Sequence, residues 1–158
     1  IYRGAKFSLF EGGIRVPAII SWKGNLPENQ VIDAMACEVD WFPTVSELCD
    51  AGSLPAKLAG KSLMPLIENP KTKTQHNRYW WKLGKQWAVR EGEWKLIGNP
   101  RDPSNKPLDP EKDKLFLVNL KKDPTEMTNF SDKFPDKVKH LKEVYLSWEF
   151  AEPYDIPQ

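Results

Sequence analysis

The strongest constraint on what this chain can fold into is the stretch QWAVREGEWKLI at residues 86–97, where the hydrophobic period is two on both sides of a Glu-Gly step. Alternation of this kind specifies a half-buried strand, and a two-residue loop containing glycine specifies a tight antiparallel hairpin whose register follows from the loop. With Glu91 and Gly92 as the loop, Arg90 faces Glu93, Val89 faces Trp94, Ala88 faces Lys95 and Trp87 faces Leu96. Trp87, Val89, Trp94 and Leu96 then share one face. Arg90, Glu93 and Lys95 fall on the other, where their charges belong in water.

The neighbouring segments extend this hairpin. RYWWK (Arg78 to Lys82) supplies a strand before it and LFLVNL (Leu115 to Leu120) one after it, which predicts an antiparallel sheet of about four strands. Asn99 to Lys114 is rich in proline and charge, so a long exposed loop is expected there. Asp123, Pro124 and Glu126 follow the pattern of one short helical turn: a cap, a first-turn proline and an acid. The last helix, Pro135 to about Phe150, places Val138, Leu141, Tyr145 and Trp148 on one stripe that can cover the sheet's hydrophobic face.

Upstream, Ile14 to Trp22 is nearly continuously apolar and β-branched, as in a strand covered on both faces. Its unpaired edges would make the isolated chain a homo-oligomer or prone to aggregate. Asp40 before Trp41, with Pro43 in the first turn and Gly52 beyond the end, predicts a helix from about Trp41 to Asp50. Ser53 to Asn77 reads as a long connection with one short apolar piece, Leu63 to Ile67. The expected fold is α+β: a fragment of an α/β core at residues 1–52, a linker at 53–77, and an antiparallel subdomain at 78–158 with its C-terminal helix.

Composition narrows function by exclusion. The 158 residues carry 23 Lys plus Arg against 22 Asp plus Glu, a net charge of +1, so no global field would gather nucleic acid or an anionic membrane. A hydrophobic fraction of 40% excludes a disordered chain, and 14 prolines argue against an all-helical one. No apolar run reaches the roughly 18 residues of a membrane span. Two cysteines make no disulfide framework and two histidines no zinc set, so no metal site is expected in this chain. The first residue is Ile1 and no signal-peptide pattern follows, so the expectation is a processed chain or a piece of a longer one.

Taken residue by residue, the chemistry is sparse. Glu11-Gly12-Gly13 before an apolar stretch is a tight bend, and Lys6 a lone cation five residues earlier. His76 and His140 have the side chain of a general base but lie in a polar linker and beside the apolar helix stripe. Trp80 and Trp81 point to opposite faces of their strand, which leaves one of them free to meet a ligand. A Trp-rich unit that binds carbohydrate or protein is therefore one reading.

In their order along the chain, these strings resemble the C-terminal part of the type I sulfatases, the formylglycine-dependent arylsulfatase family of the alkaline phosphatase superfamily. GAKFSLFEGGIRVP (4–17) is similar to the family's GxKxxxxEGGxRVP, and SWKG resembles WPG with Lys23 in place of the proline. DWFPTVSELCDAG (40–52) is similar to DxxPTxLxLAG, and GKSLMPLI (60–67) to DGxSLxPLL. AVREGEWKLI (88–97) is similar to AVRxGxWKLI, and LFLVNLKKDPTEMTNF (115–130) to LYDLxxDPxExxNL.

The resemblance implies a hydrolase of sulfate esters whose substrate is a sulfated small molecule or glycan. It also implies a formylglycine nucleophile made in CxPSR or SxPSR and a calcium ion held by acidic side chains. Neither motif occurs here, so neither cofactor is expected in this chain, and the chain alone should be inactive. The family's lysine maps onto Lys6 as the catalytic cation, while Glu11, Gly12, Gly13 and Arg15 shape its turn. Trp80, Trp81 and His76 become candidates for the substrate cleft. Family resemblance also suggests a periplasmic, secreted or lysosomal location. A phosphate or phosphonate ester hydrolase of the same superfamily is the alternative reaction.

Overall fold

A computed structural model describes residues 1–55, 57–104 and 106–150. The chain forms two compact units, one made of residues 1–17 with 78 onward and the other of residues 18–77. The division differs from the sequence-based boundaries because Leu9 and Phe10 are buried in the sheet's own core, which ties the opening segment to the C-terminal subdomain.

In the first unit, β1 (Arg78–Leu83), β2 (Gln86–Glu91), β3 (Trp94–Gly98) and β4 (Leu115–Asn119) form an antiparallel meander in the order β1-β2-β3-β4. The hairpin register is a correction. Glu91 pairs with Trp94 and Val89 with Leu96, so the loop is Gly92-Glu93. Gly92 has a φ of +58°, and a two-residue loop that needs left-handed backbone at its first central position places glycine there. Each strand partner moves by two residues, an even step, so the sorting of side chains between faces survives.

One face carries Val89, Leu96 and Leu117 under α4 (Pro135–Glu149), whose Leu141, Val144 and Tyr145 complete the cluster. Trp87 stacks on Tyr145 at 4.3 Å and Trp80 on Trp148 at 6.0 Å, pairs worth about 0.5–1.5 kcal/mol each beyond area burial. The opposite face is not wet. Ala88, Ile97, Phe116 and Val118 are buried there beneath Leu9 and Phe10, and Lys95, expected in water, is 0% exposed. The sheet is covered on both sides, by α4 and by the opening segment.

Two further expectations change. Residues 15–22 form no strand and pair with none among the described residues, and Val16 and Ile19 are 77% and 90% exposed. A strand exists by its ladder bonds, and none of the described strands pairs with this stretch. Asp123 to Glu126 is a turn without a helix: the Asp123 carboxylate accepts the N–H groups of Met127 and Thr128, and Glu126 adopts a left-handed φ of +55°.

In the second unit a 3₁₀ turn, Glu38–Asp40, leads into α2 (Trp41–Leu48), and α3 (Met64–Glu68) follows. Asp40 does not cap α2. Its buried carboxylate accepts the N–H groups of Cys37 and Lys61 and meets His76 Nε2 at 2.7 Å. The helix ends at Leu48, two residues short of the expected Asp50, and Asp50 beyond it takes a left-handed φ of +49° from which Ala51 N–H reaches back to the Ser46 carbonyl. Among the described residues no helix is long and apolar enough to cross a membrane.

Candidate active site

The opening segment folds into a closed loop with Lys6 near its tip. Gly12 N–H donates to the Arg3 carbonyl at 2.7 Å, closing the base, and Ser8 N–H donates to Ala5 at 3.0 Å, turning the tip. The short helix α1 (Glu11–Ile14) begins at the closing foot. A Cβ on Gly12 would stand 2.6 Å from the Arg3 carbonyl oxygen, and one on Gly13 would fall on the Ser8 carbonyl. Close backbone approach therefore dictates both glycines. Leu9 and Phe10 anchor the inner limb in the sheet, leaving Lys6 and Phe7 exposed, with the ammonium 5.1 Å from the Phe7 ring centroid.

Beneath the loop lies a buried ion cluster assembled from distant parts of the chain. Lys95 Nζ stands 2.7 Å from Glu11 Oε1 and 2.7 Å from Glu126 Oε1, all three side chains being at most 5% exposed. Glu126 Oε2 accepts the backbone N–H of Glu11 at 2.5 Å. Burial pushes the Glu126 carboxyl above its ordinary range, and the Lys95 ammonium offsets only part of that rise. A buried charge triad of this kind contributes little net stability but is costly to break.

Arg3 fixes the other foot. Its guanidinium donates to Asp102 Oδ2 at 2.6 Å, to the Glu126 carbonyl at 2.9 Å and to the Pro107 carbonyl at 3.3 Å, and lies over the rings of Phe10 and Phe116. Burial would raise the Asp102 carboxyl, but hydrogen bonds from Ser104 and Arg3 outweigh it and hold the group below the usual carboxylate range. Arg101, Asp102 and Pro107, in a segment expected as a simple exposed loop, thus strap the site. Ser8 Oγ also donates to the Arg101 carbonyl at 2.8 Å.

The sequence candidates separate in space. Lys6, Glu11, Gly12, Gly13 and Arg15 belong to the loop and its foot, with the exposed Arg15 guanidinium over the Tyr2 ring at 4.7 Å. Trp81 packs on the cluster containing Leu9 and Phe10, on the loop's face of the sheet, and stacks on Tyr79 at 5.9 Å. Trp80 lies on the helix face against Trp148. His76 belongs to the second unit, bound to Asp40. His140 sits 2.8 Å from Glu91 Oε2.

Arg3, Lys95, Asp102 and Glu126 escaped the sequence reading. A signal existed for Lys95: Ile97 two residues on, Ala88 opposite Ile97, and the cross-strand partner Val118 are apolar on the face assigned to water. For the other three no local pattern distinguishes a buried partner from a surface charge.

The residues present do not fit the cofactors that the resemblance implies. Among the described residues no three His, Cys, Asp or Glu side chains gather as metal ligands. Cys37 is half-buried beside Glu38, and burial followed by that hydrogen bond pushes its thiol up to about 11, while Cys49 is exposed at the end of α2.

The chain has relatives among known proteins. Residues 5–147 match the family described as N-sulphoglucosamine sulphohydrolase, C-terminal. The chain is 41% identical to human steryl-sulfatase over 78 residues, 48% of this chain and 13% of that protein. It is 29% identical to the N-acetylgalactosamine-6-O-sulfatase of Bacteroides thetaiotaomicron over 93% of this chain and 30% of that protein. A solved structure from the same bacterium, described under its metabolism of glycosaminoglycans, superposes with a TM-score of 0.68 at 28% identity over 90% of this chain and 31% of its own. The chain thus spans from about an eighth to a third of the length of these relatives.

Proposed function

Because the chain belongs to the sulfatase family described as N-sulphoglucosamine sulphohydrolase, C-terminal, we propose that it is the C-terminal part of an enzyme that hydrolyses sulfate esters of carbohydrates, with Lys6 as the cation that meets the sulfate group. The observation that carries this reading is the exposed Lys6 on a loop whose two feet are fixed by buried hydrogen bonds and ion pairs. An ammonium is a compact charge with three donors. Held in advance by a rigid loop, it stabilises negative charge on the sulfate oxygens or the departing oxygen without reorganising as the reaction proceeds.

The sugar class is favoured by coverage. The relative named for an N-acetylgalactosamine sulfate matches 93% of the chain, whereas the steryl-sulfatase match extends over 48%. A Trp-platform binding module is the weaker reading, since Trp80, Trp87 and Trp94 already pack against Trp148, Tyr145 and Phe134. The relatives reported above are named as sulfatases, which favours sulfate over phosphate or phosphonate esters.

The test is Lys6→Ala in the sulfatase that carries this chain, assayed on a sulfated monosaccharide. Loss of one charge-stabilising donor is expected to lower kcat by about two to three orders of magnitude. An unchanged kcat removes Lys6 from the site. The chain by itself is expected to show no turnover, and hydrolysis above buffer that Lys6→Ala abolishes would overturn that part of the reading.

A further inference from the structure

We propose that Glu126 is the positioning residue of the Lys6 loop, a single residue that clamps both of the loop's feet. The proposal rests on the reading of Lys6 given above. Arg3 and Glu11 are the feet, and each binds Glu126 in a different way. The Arg3 guanidinium donates to the Glu126 backbone carbonyl at 2.9 Å, and the Glu11 backbone N–H donates to the Glu126 carboxylate at 2.5 Å. Gly12 N–H then donates to the Arg3 carbonyl at 2.7 Å, so three bonds close a circuit around the loop's base. Lys6 lies on the stretch of chain between these two feet.

Lys95 cannot play the same part. It reaches the Glu11 carboxylate, which can swing on its side chain, whereas Glu126 holds the Glu11 main chain itself. Glu126 also adopts a left-handed backbone that a glutamate takes up at a cost, with φ of +55°, and it is 0% exposed. Such a conformation persists where the surroundings over-determine it, and here the carbonyl and the carboxylate of one residue are both in use. Lys95, 2.7 Å from Glu126 Oε1, compensates the buried charge.

The experiment compares Glu126→Ala, Glu126→Gln and the remote surface variant Glu143→Gln in two readouts: amide hydrogen exchange of this chain, and kinetics of the sulfatase that carries it. In the unsubstituted chain the Glu11 amide is expected to exchange within about tenfold of the Val89 amide in β2, as a buried bonded group should. Glu126→Ala is expected to speed Glu11 exchange by about tenfold or more while Val89 is unchanged. It should lower kcat by about 10- to 100-fold with a smaller change in KM, the scale of a catalytic group misplaced by about 1 Å. Glu126→Gln keeps an acceptor oxygen and should recover most of both losses, and Glu143→Gln should alter neither.

A Glu11 amide that exchanges freely in the unsubstituted chain overturns the clamp, and this holds even where Glu126→Ala fails to fold. Fast Glu11 exchange with an unaltered kcat overturns the positioning role, and so does a Glu126→Gln as damaged as Glu126→Ala. If Lys6→Ala leaves kcat unchanged, the catalytic reading of Lys6 fails instead, and hydrogen exchange still decides the clamp.

Discussion

Glu126 Oε2 accepts the backbone N–H of Glu11 at 2.5 Å although the two residues are 115 positions apart, and Lys95 bridges their carboxylates. Three of the strings that carried the family resemblance, around Glu11, Lys95 and Glu126, therefore meet at one buried point. The chain places two carboxylates against one ammonium there, an arrangement with one negative charge in excess before Arg3 is counted.

Burial of this cluster makes stability depend on pH through Glu126. Burial raises its carboxyl above the ordinary value of 4.5, so the folded chain keeps this proton where the unfolded chain has lost it. Where the native state binds more protons, stability falls as pH rises. The contribution of Glu126 is complete below about pH 4.5 and is lost as pH rises through the raised folded value. The groups facing it are Lys95, Glu11 and Arg3. Urea unfolding of the unsubstituted chain and of Glu126→Gln, run from about pH 4 to about pH 8, should show the unsubstituted chain losing ground steadily as pH rises. The opposite contribution of Asp102 is common to both and cancels. A difference that stays flat with pH would sink the assignment.

Gly98→Ala should destabilise the sheet. Gly98 is the cross-strand partner of Trp87, and a Cβ there would fall on the indole ring. Trp87 cannot step aside, because its other face is stacked on Tyr145 at 4.3 Å. Overpacking of this kind costs about 1–3 kcal/mol. A lower denaturation midpoint with native-like far-UV circular dichroism is expected, and an unchanged midpoint would show that the ring relocates freely.

Exposed apolar side chains on an unpaired stretch should drive association. Val16, Ile19 and Trp22 are 77%, 90% and 47% exposed, and residues 15–22 have no ladder partner among the described residues. Such a segment pairs with other chains or buries itself against them. Light scattering of the chain is expected to show mass rising with concentration, and Ile19→Lys to reduce that rise. A monomer at all concentrations, identical in both forms, would exclude this surface as the cause.

Some of the molecule was legible before any coordinates. Period-two alternation in residues 86–97 and the stripe Val138, Leu141, Tyr145 and Trp148 determined the hairpin, the meander and the covering helix, because those patterns depend on side-chain spacing within each element. The motif order likewise singled out Lys6 as a candidate and marked the glycine-bearing turn that the structure shows beside it. The apolar stretch Ile14 to Trp22 misled for the same reason: spacing and composition describe a strand's side chains but not the neighbour that must supply its hydrogen bonds.

What tertiary structure alone decided is which charges are buried. Arg3, Glu11, Lys95, Asp102 and Glu126 look like solvated surface residues in the sequence, since a lysine in an alternating strand has the same local pattern whether water or a loop covers that face. The cover is the opening segment, brought onto the sheet by Leu9 and Phe10, and it converts five ordinary charges into the support of an exposed lysine. Burial of an ion is settled by what packs over it, and that partner lies as many as 123 positions away in the chain.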